Sequence, residues 1–535
     1  MDWPGTHRAP DAVDSAFVRV SVLCRGAGRS FAGGSRHRDG GDDRHADCCS
    51  SPDQWAQRRL TMTVRIGVVG GGPSGCAAAV ALCSAAEAHH SPVDVTVFEK
   101  QAPYKGRTFN TGDPVLLLNT SAGVTSVRAE NPNDFVSFLA THRPTNPADF
   151  VARTEAAAYL QQTMNGLGGR FSRLRVRQME VRCVEETPEA DLAVRSEGSR
   201  FLFDALVLAM GAPFRTLETA SAVRCVSPYP VCQLDDVEQD DAVLILGSHL
   251  SAIDACVWLH SKEHRGPITL LSRSGRLPAV RRSLLHSDAG RDAERAVVNA
   301  AARQGVKRLQ CLAPVLAQQG GASMAKALNG SASFRDGADE FMAAWQESEA
   351  GPAPWERLMM FAIDALNTEW PLTPAAERGD FQQRIGARLG RFISAMPLRN
   401  ARILAGMLAT GQLRLAAGGL DQAGRPSFDD APPPGAPNQF DVIINATGLG
   451  RPADDPFLAE LARKRLVRIN ADGGVDVDAA TGRVKSALPI YALGPVAQGA
   501  IYTPNFLYSS VRSAQGLKAI LPRGVDSIRQ HTEAA

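Results

Sequence analysis

The chain has 535 residues, 44% of them hydrophobic and 21% charged, with a formal net charge of +2. That is enough apolar material for two or three cored domains, and a charge balance too even to favour nucleic acid or an anionic membrane as partner. No apolar run approaches the ~20 residues that cross a bilayer, so a soluble, cytoplasmic protein is expected.

The first 62 residues read differently from the rest. RGAGRSFAGGSRHRDGGDDRHADCC (25–49) is dense in Arg, Asp, His and Gly, with little to bury. Residues 1–62 are read as a disordered N-terminal extension, or as sequence upstream of a true start near Met62. AFVRVSVLC is too short an apolar run for a secretory signal and carries Arg19. His45, Cys48 and Cys49 lack a second ligand pair at zinc-finger spacing, and the other cysteines are scattered; no metal site and no disulfide is expected.

Val64–Val69 is a β-branched run of the kind that forms a buried parallel strand. It leads into Gly70-Gly71-Gly72-Pro73-Ser74-Gly75, a complete GxGxxG, and an Ala-rich helix through about Ala86. In such a loop the first glycine makes the tight turn and the second admits a pyrophosphate. The third lets helix and strand pack closely, and the helix N-terminus favours the anion. A second strand, VDVTVFEK, ends at Glu99 with Lys100 beside it, where a carboxylate can accept hydrogen bonds from ribose hydroxyls. This is a dinucleotide site. FLFDALVLAMGAP (201–213) and FDVIINATGLG (440–450), each a strand ending in a small-residue turn, favour FAD there. PIYALG (489–494) reads as a strand whose Gly494 reaches the flavin, with a helix from about Leu507.

Roughly 180 residues after the first loop, VLILGSHLSAID (243–254) repeats the strand–loop–helix plan with fewer glycines. Gly247 is the turn glycine, followed by Ser248, and Ser251-Ala252 stand at the close packing. His249 occupies the middle-glycine position, where a side chain crowds a pyrophosphate. The next strand runs into Ser272-Arg273, and Arg273 is placed to stack on adenine or hold a 2′-phosphate. A flavin needs an electron source, so this loop is read as the site of NADH or NADPH; a degenerate, non-binding copy is the alternative.

The fold class expected is α/β, with two interleaved Rossmann-like dinucleotide-binding domains and a helical insertion. The FAD-binding domain would take 63–230 and 451–535, including a C-terminal tail. The NAD(P)H-binding domain would take 231–450, with the insertion at about 283–410, where apolar residues recur at helical spacing.

GRTFNTGDPVLLLNTSAGVTSVRAENPNDFVSFL (106–139) resembles the G-x-x-Y-x-T-x-x-P-x-x-L-L-N motif of a bacterial FAD/NAD(P)-binding oxidoreductase family. DFVARTEAAAYL (149–160) is similar to its FVPR-x-x-x-x-x-YL segment, and LLSRSGRLPAVRR (270–282) to its SR-x-G-x-LP. Phe109 stands where the family has tyrosine, and Ala152 where it has proline. That family includes FAD-dependent urate hydroxylases and nitrosuccinate-forming aspartate N-monooxygenases, and is more distantly similar to ornithine and lysine N-hydroxylases. The resemblance implies that Asn119 and Thr120 face the flavin, and that Arg107 lies at the pyrophosphate or the mouth of the active site.

The expected activity is therefore an NAD(P)H-driven flavoprotein monooxygenase, with O₂ and a small molecule as reaction partners. Urate hydroxylation to 5-hydroxyisourate, a step of purine catabolism, is the favoured reaction. The alternatives are an amino-acid N-hydroxylase of aspartate or ornithine type, a flavin dehydrogenase or reductase without oxygen insertion, and a nucleotide-binding protein without turnover. Candidate substrate-facing groups are Gln498, Tyr502, Asn505 and Tyr508, which offer hydrogen bonds and ring faces to a planar anion. No protein acid, base or nucleophile set emerges. Nothing in the pattern points to an oligomeric state.

Overall fold

The computed structural model describes residues 63–521, apart from 189–190, 218–222, 330–336, 431–432, 434, 436 and 438. The N-terminal extension and its His45, Cys48 and Cys49 lie outside the described residues, as does the chain from residue 522 onward.

Two parallel sheets organise the fold, and their strand orders are the same plan used twice. β1 (Val64–Val69) leads through α1 (Pro73–Ala88) to β2 (Val93–Glu99), and α2 (Arg153–Arg170) leads to β3 (Leu174–Gln178). An antiparallel three-stranded sheet follows, made of β4 (Cys183–Glu186), β5 (Leu192–Ser196) and β6 (Ser199–Phe203), before β7 (Ala205–Leu208) returns beside β1. β8 (Arg224–Val226) opens the second sheet, so the chain enters that layer before residue 231.

β9 (Val243–Leu246) then runs through α3 (Leu250–Ser261) to β10 (Ile268–Ser272). β11 (Val280–Arg281) introduces a helical stretch: α4 (Asp288–Gln304), α5 (Arg308–Gln319), α6 (Gly321–Asn329), α7 (Gly337–Ala350), α8 (Met359–Glu369), α9 (Ala375–Phe381) and α10 (Ala387–Ile393). β12 (Met396–Pro397) closes it by pairing with β11, and α11 (Leu398–Ala409) leads back to the sheet. β13 (Leu413–Leu420), β14 (Pro426–Phe428) and β15 (Val442–Asn445) complete that sheet. α12 (Pro456–Arg463), β16 (Ile490–Ala492) and α13 (Leu507–Ala514) end the described chain.

The first sheet runs β3-β2-β1-β7-β16, and the second runs β13-β10-β9-β15-β8, with β14 added antiparallel at its edge. In both, the strand carrying the loop lies between its βαβ partner and a returning strand. The α/β class follows from this. Apolar runs such as VRIGVV and VLIL are buried on both faces, as parallel strands between helix layers must be. α1 packs through Cys76, Ala77, Ala79, Val80 and Cys83 onto Ile66, Val68 and Val95. α3 buries Ile253, Cys256 and Val257 against Val243 and Ile245 in the same way. Helices α4–α6 and α8–α10 share their own core, in which Met359, Met360 and Trp370 are buried side chains, whereas α7 packs through Phe341 on the core of α3 and the second sheet. No helix among the described residues is long and apolar enough to cross a membrane.

Candidate functional site

The first loop has the geometry its glycines demand. Gly70 sits at φ 101°, and a Cβ there would fall 2.5 Å from the Ala209 carbonyl at the end of β7. A Cβ on Gly75 would fall 1.9 Å from the Gly70 carbonyl, so only glycine permits α1 to start this close to the strand. Gly72, the N-cap of α1, faces Gly106 with 3.5 Å between its ideal Cβ and the Gly106 Cα, and Pro73 occupies the first helical position. A groove floored by glycine on both sides, at the open N-terminus of a 16-residue helix, fits a pyrophosphate.

Around that loop the structure gathers several of the residues expected at FAD. Glu99 accepts from the Gly71 N–H at 2.9 Å and from the Gln101 N–H at 3.0 Å, which fixes its carboxylate beside the loop. Ser74 Oγ lies 3.0 Å from Ser510 Oγ of α13, and Gly494, at φ 77°, packs so tightly on Ser74 that its Cβ would meet Ser74 Oγ at 2.3 Å. The C-terminal strand and helix therefore abut the first loop. Asn119 Oδ1 is buried with no hydrogen-bond partner, and the neighbouring Thr120 Oγ1 bonds Thr125 Oγ1 at 3.1 Å. An orphaned acceptor of this kind wants a donor from a bound group. Arg107 is exposed, with its guanidinium 5.6 Å from the centroid of the Phe214 ring. Lys100 points away to Glu180 at 3.5 Å, an exposed pair.

The second loop reproduces the first in its backbone. Gly247 sits at φ 109°, and its Cβ would fall 2.5 Å from the carbonyl of Ala446, the residue after β15. His249 is the N-cap of α3 at φ −92°, ψ −165°, against φ −72°, ψ −169° for Gly72. No left-handed conformation is required there, so histidine costs the backbone nothing; what it changes is the space and charge above the helix terminus. His249 is exposed by its surface, yet desolvation by the protein around it and the charges of Arg391 and Arg273 push its pKa below the usual imidazole value. Arg273 is exposed, with no hydrogen bond or ion pair of its side chain among the described residues, whereas Arg391 is held by Glu340 at 2.9 Å. Ser248 is buried, Ser251 half-buried, and Ser272 Oγ is taken up by the Gly275 N–H at 3.2 Å.

The four candidate substrate-facing residues do not converge on one pocket. Gln498 turns its amide toward the Asp472 carbonyl at 3.5 Å, and Asn505 is exposed. Tyr502 stands edge-on to Trp370 (4.9 Å, 75°) and Phe381 (6.3 Å, 80°), where burial raises its pKa to about 12. Tyr508 donates to Asp364 at 2.9 Å, receives from Arg512 at 2.9 Å and lies 3.3 Å from His286 Nε2. Burial, and then Asp364, raise its pKa to about 12, so it stays a donor at neutral pH.

Its partners His286, Asp364 and Arg512 line a cavity of about 430 Å³ in the helical stretch. The floor is apolar, with Val297, Leu309, Leu312 and Phe361, and the rim adds Arg291, Arg308, Glu294 and Glu369. Sequence reading singled out Tyr508 but missed its partners His286 and Asp364. Asp364, an acid in the apolar run MMFAIDAL, was the visible sign of those partners.

Residues 67–213 match the family model described as FAD-NAD(P)-binding, which identifies the segment with the first loop as FAD/NAD(P)-binding. No curated protein matches the chain significantly. Among solved structures, the L-lysine 6-monooxygenase of Pseudomonas syringae is similar at 14% identity and a TM-score of 0.51, over 87% of this chain and 100% of that one. The ornithine hydroxylase of Pseudomonas aeruginosa, in its reduced form, is similar at 16% identity and 0.50, over 88% and 100%. The FAD-bound cadaverine monooxygenase of the desferrioxamine pathway from Erwinia amylovora gives 13% and 0.50, over 85% and 94%. At such identities the likeness is one of fold.

Proposed function

We propose that the protein is an FAD-dependent, NAD(P)H-driven monooxygenase that hydroxylates the nitrogen of a small amine or amino acid. The observation that carries this reading is the pair of matching nucleotide loops in one chain, with the 494–512 segment linking the first loop to the polar cavity. Ser510 meets Ser74 of that loop, and two residues away on the same helix Tyr508 and Arg512 meet Asp364 at the cavity.

Bound FAD would take hydride from NAD(P)H and supply the oxygen chemistry. The chain's own residues bind, orient and move protons. The loop at Gly70–Gly75 would hold the pyrophosphate, Glu99 the ribose, and Asn119, Thr120 and Gly494 the flavin side. Gly247, His249 and Arg273 would hold NAD(P)H. In the cavity, Asp364, Glu294 and Glu369 suit an ammonium group, Arg291 and Arg308 suit a carboxylate, and the apolar floor suits the methylenes between them. His286, whose Nδ1 is 3.9 Å from Asp364 Oδ2, is placed to take the proton that an amine must lose before its nitrogen is nucleophilic.

Urate, favoured on sequence, loses ground on two counts. The carboxamide and phenol groups expected to grip a planar purine are dispersed, and the solved structures of like fold are of enzymes named for lysine, ornithine and cadaverine. The test is a panel of urate, aspartate, ornithine, lysine and cadaverine, following NAD(P)H oxidation. Stimulation by an aliphatic amine supports the reading. Stimulation by urate alone restores the purine reaction, and NAD(P)H oxidation without oxygen insertion into any of them supports a reductase.

A further inference from the structure

A buried ionic set lies where the first sheet's helices meet α3. Arg153, at the start of α2, is 5% exposed, Asp254 of α3 is 1% exposed, and Tyr229, between β8 and β9, is 5% exposed. Arg153 NH2 lies 2.5 Å from Asp254 Oδ2, and its NH1 donates to the Tyr229 hydroxyl at 3.0 Å. That hydroxyl in turn donates to Asp254. The remaining edge of the guanidinium is also used: Arg153 Nε donates to the Leu117 carbonyl at 3.0 Å, two residues before Asn119. Beyond this triad the Tyr229 ring stacks on Phe214 (5.6 Å, 27°), and the Arg107 guanidinium lies over the Phe214 ring, 5.6 Å from its centroid.

One guanidinium thus ties the segment before Asn119 to the helix that bears the second loop. Two buried charges are costly to desolvate, and a hydrophobic contact of the same volume would hold two layers together as well. What the planar fork adds is direction: it fixes the angle and separation of the groups it bridges. Hydride transfer needs that. The nicotinamide must come within ~3–3.5 Å of the flavin, and a displacement of about 1 Å can cost on the order of a hundredfold in rate.

We propose that Arg153, Tyr229 and Asp254 are positioning residues that hold α3, and with it the NAD(P)H loop, at a fixed separation from the flavin-facing segment 116–120. The inference rests on the two-nucleotide reading above. It predicts a defect confined to one half-reaction. In Tyr229→Phe and Asp254→Asn, anaerobic reduction of bound flavin by NAD(P)H should slow by on the order of tenfold or more, with KM for NAD(P)H changed less than kcat. FAD content, and the reaction with O₂ after reduction by dithionite, should stay at the level of the unaltered protein. Hydrogen exchange in the apoprotein should rise at 116–120 and 250–258 together.

Unchanged reduction rates in both variants would overturn the proposal. So would an equal loss of FAD content and of both half-reactions, which marks a general packing role. If Asp254→Asn does not fold, Tyr229→Phe decides, since it removes one hydroxyl and keeps the ring. If the unaltered protein is not reduced by NAD(P)H at all, the two-nucleotide reading fails instead. The apoprotein exchange measurement then decides the clamp alone: unchanged exchange at both segments in Tyr229→Phe refutes it.

Discussion

His249 carries the clearest consequence at the scale of single residues. Desolvation by the surrounding protein, with the charges of Arg391 and Arg273, depresses its pKa in the free protein, which favours the neutral ring. A dinucleotide on α3 would bring phosphate to it and raise that pKa, so binding takes up a proton. NAD(P)H affinity should therefore tighten as pH falls from about 7.5 to about 5.5, and His249→Gly should flatten that slope. Titration calorimetry across that range checks it; a wild-type affinity that weakens toward acid pH would place the phosphates elsewhere.

Arg273 stands beside it without a partner among the described residues. Arg273→Ala should raise KM for NADPH on the order of tenfold, the worth of one charge-assisted contact, and more than for NADH. Equal effects would indicate adenine stacking. The sequence put both residues at the second loop and read His249 as a side chain that crowds the pyrophosphate of a bound NAD(P)H. Only the torsion angles show that Gly72 and His249 share an extended backbone, so the departure is one of chemistry rather than of fold.

At the scale of elements, the first loop is where local physics dominates, and it was the most legible part. β-branched strand, glycine turn and Ala-rich helix each have a nearest-neighbour cause. Gly72→Val would fill the gap of 3.5 Å to Gly106 and remove the pyrophosphate groove. The purified variant should be colourless, with a melting temperature close to the unaltered protein's apo form; full flavin occupancy would refute the assignment of this loop.

The segment 498–508 was legible as a loop and helix start but not in its roles. Its side chains are placed by partners far away in the chain: Trp370 and Phe381 for Tyr502, Asp364 and His286 for Tyr508, and the 470–475 turn for Gln498. No spacing within the segment encodes those contacts. The same holds for Arg153, which the family-like DFVARTEAAAYL made visible without its distant partner Asp254.

For the whole molecule, the repeated strand order is the central fact. One topology used twice puts the N-terminus of a helix at each of two loops, and the interleaved chain brings the C-terminal strand β16 back into the first sheet. Helices inserted between β10 and β13 add a cavity with an apolar floor and charged groups around it, next to α13. Periodicity showed that this stretch is helical, but a cavity between helices depends on packing angles that sequence does not reveal. The proposed reaction couples an amine in the cavity, electrons from NAD(P)H and oxygen at the flavin side. Its most direct test is the stoichiometry of NAD(P)H oxidised, O₂ consumed and hydroxylamine formed with the purified protein and the amine that best stimulates it. One hydroxylamine is expected for each NAD(P)H and each O₂, with little hydrogen peroxide. NAD(P)H and O₂ consumed with every amine, all of the oxygen recovered as peroxide and no hydroxylamine formed, would contradict it.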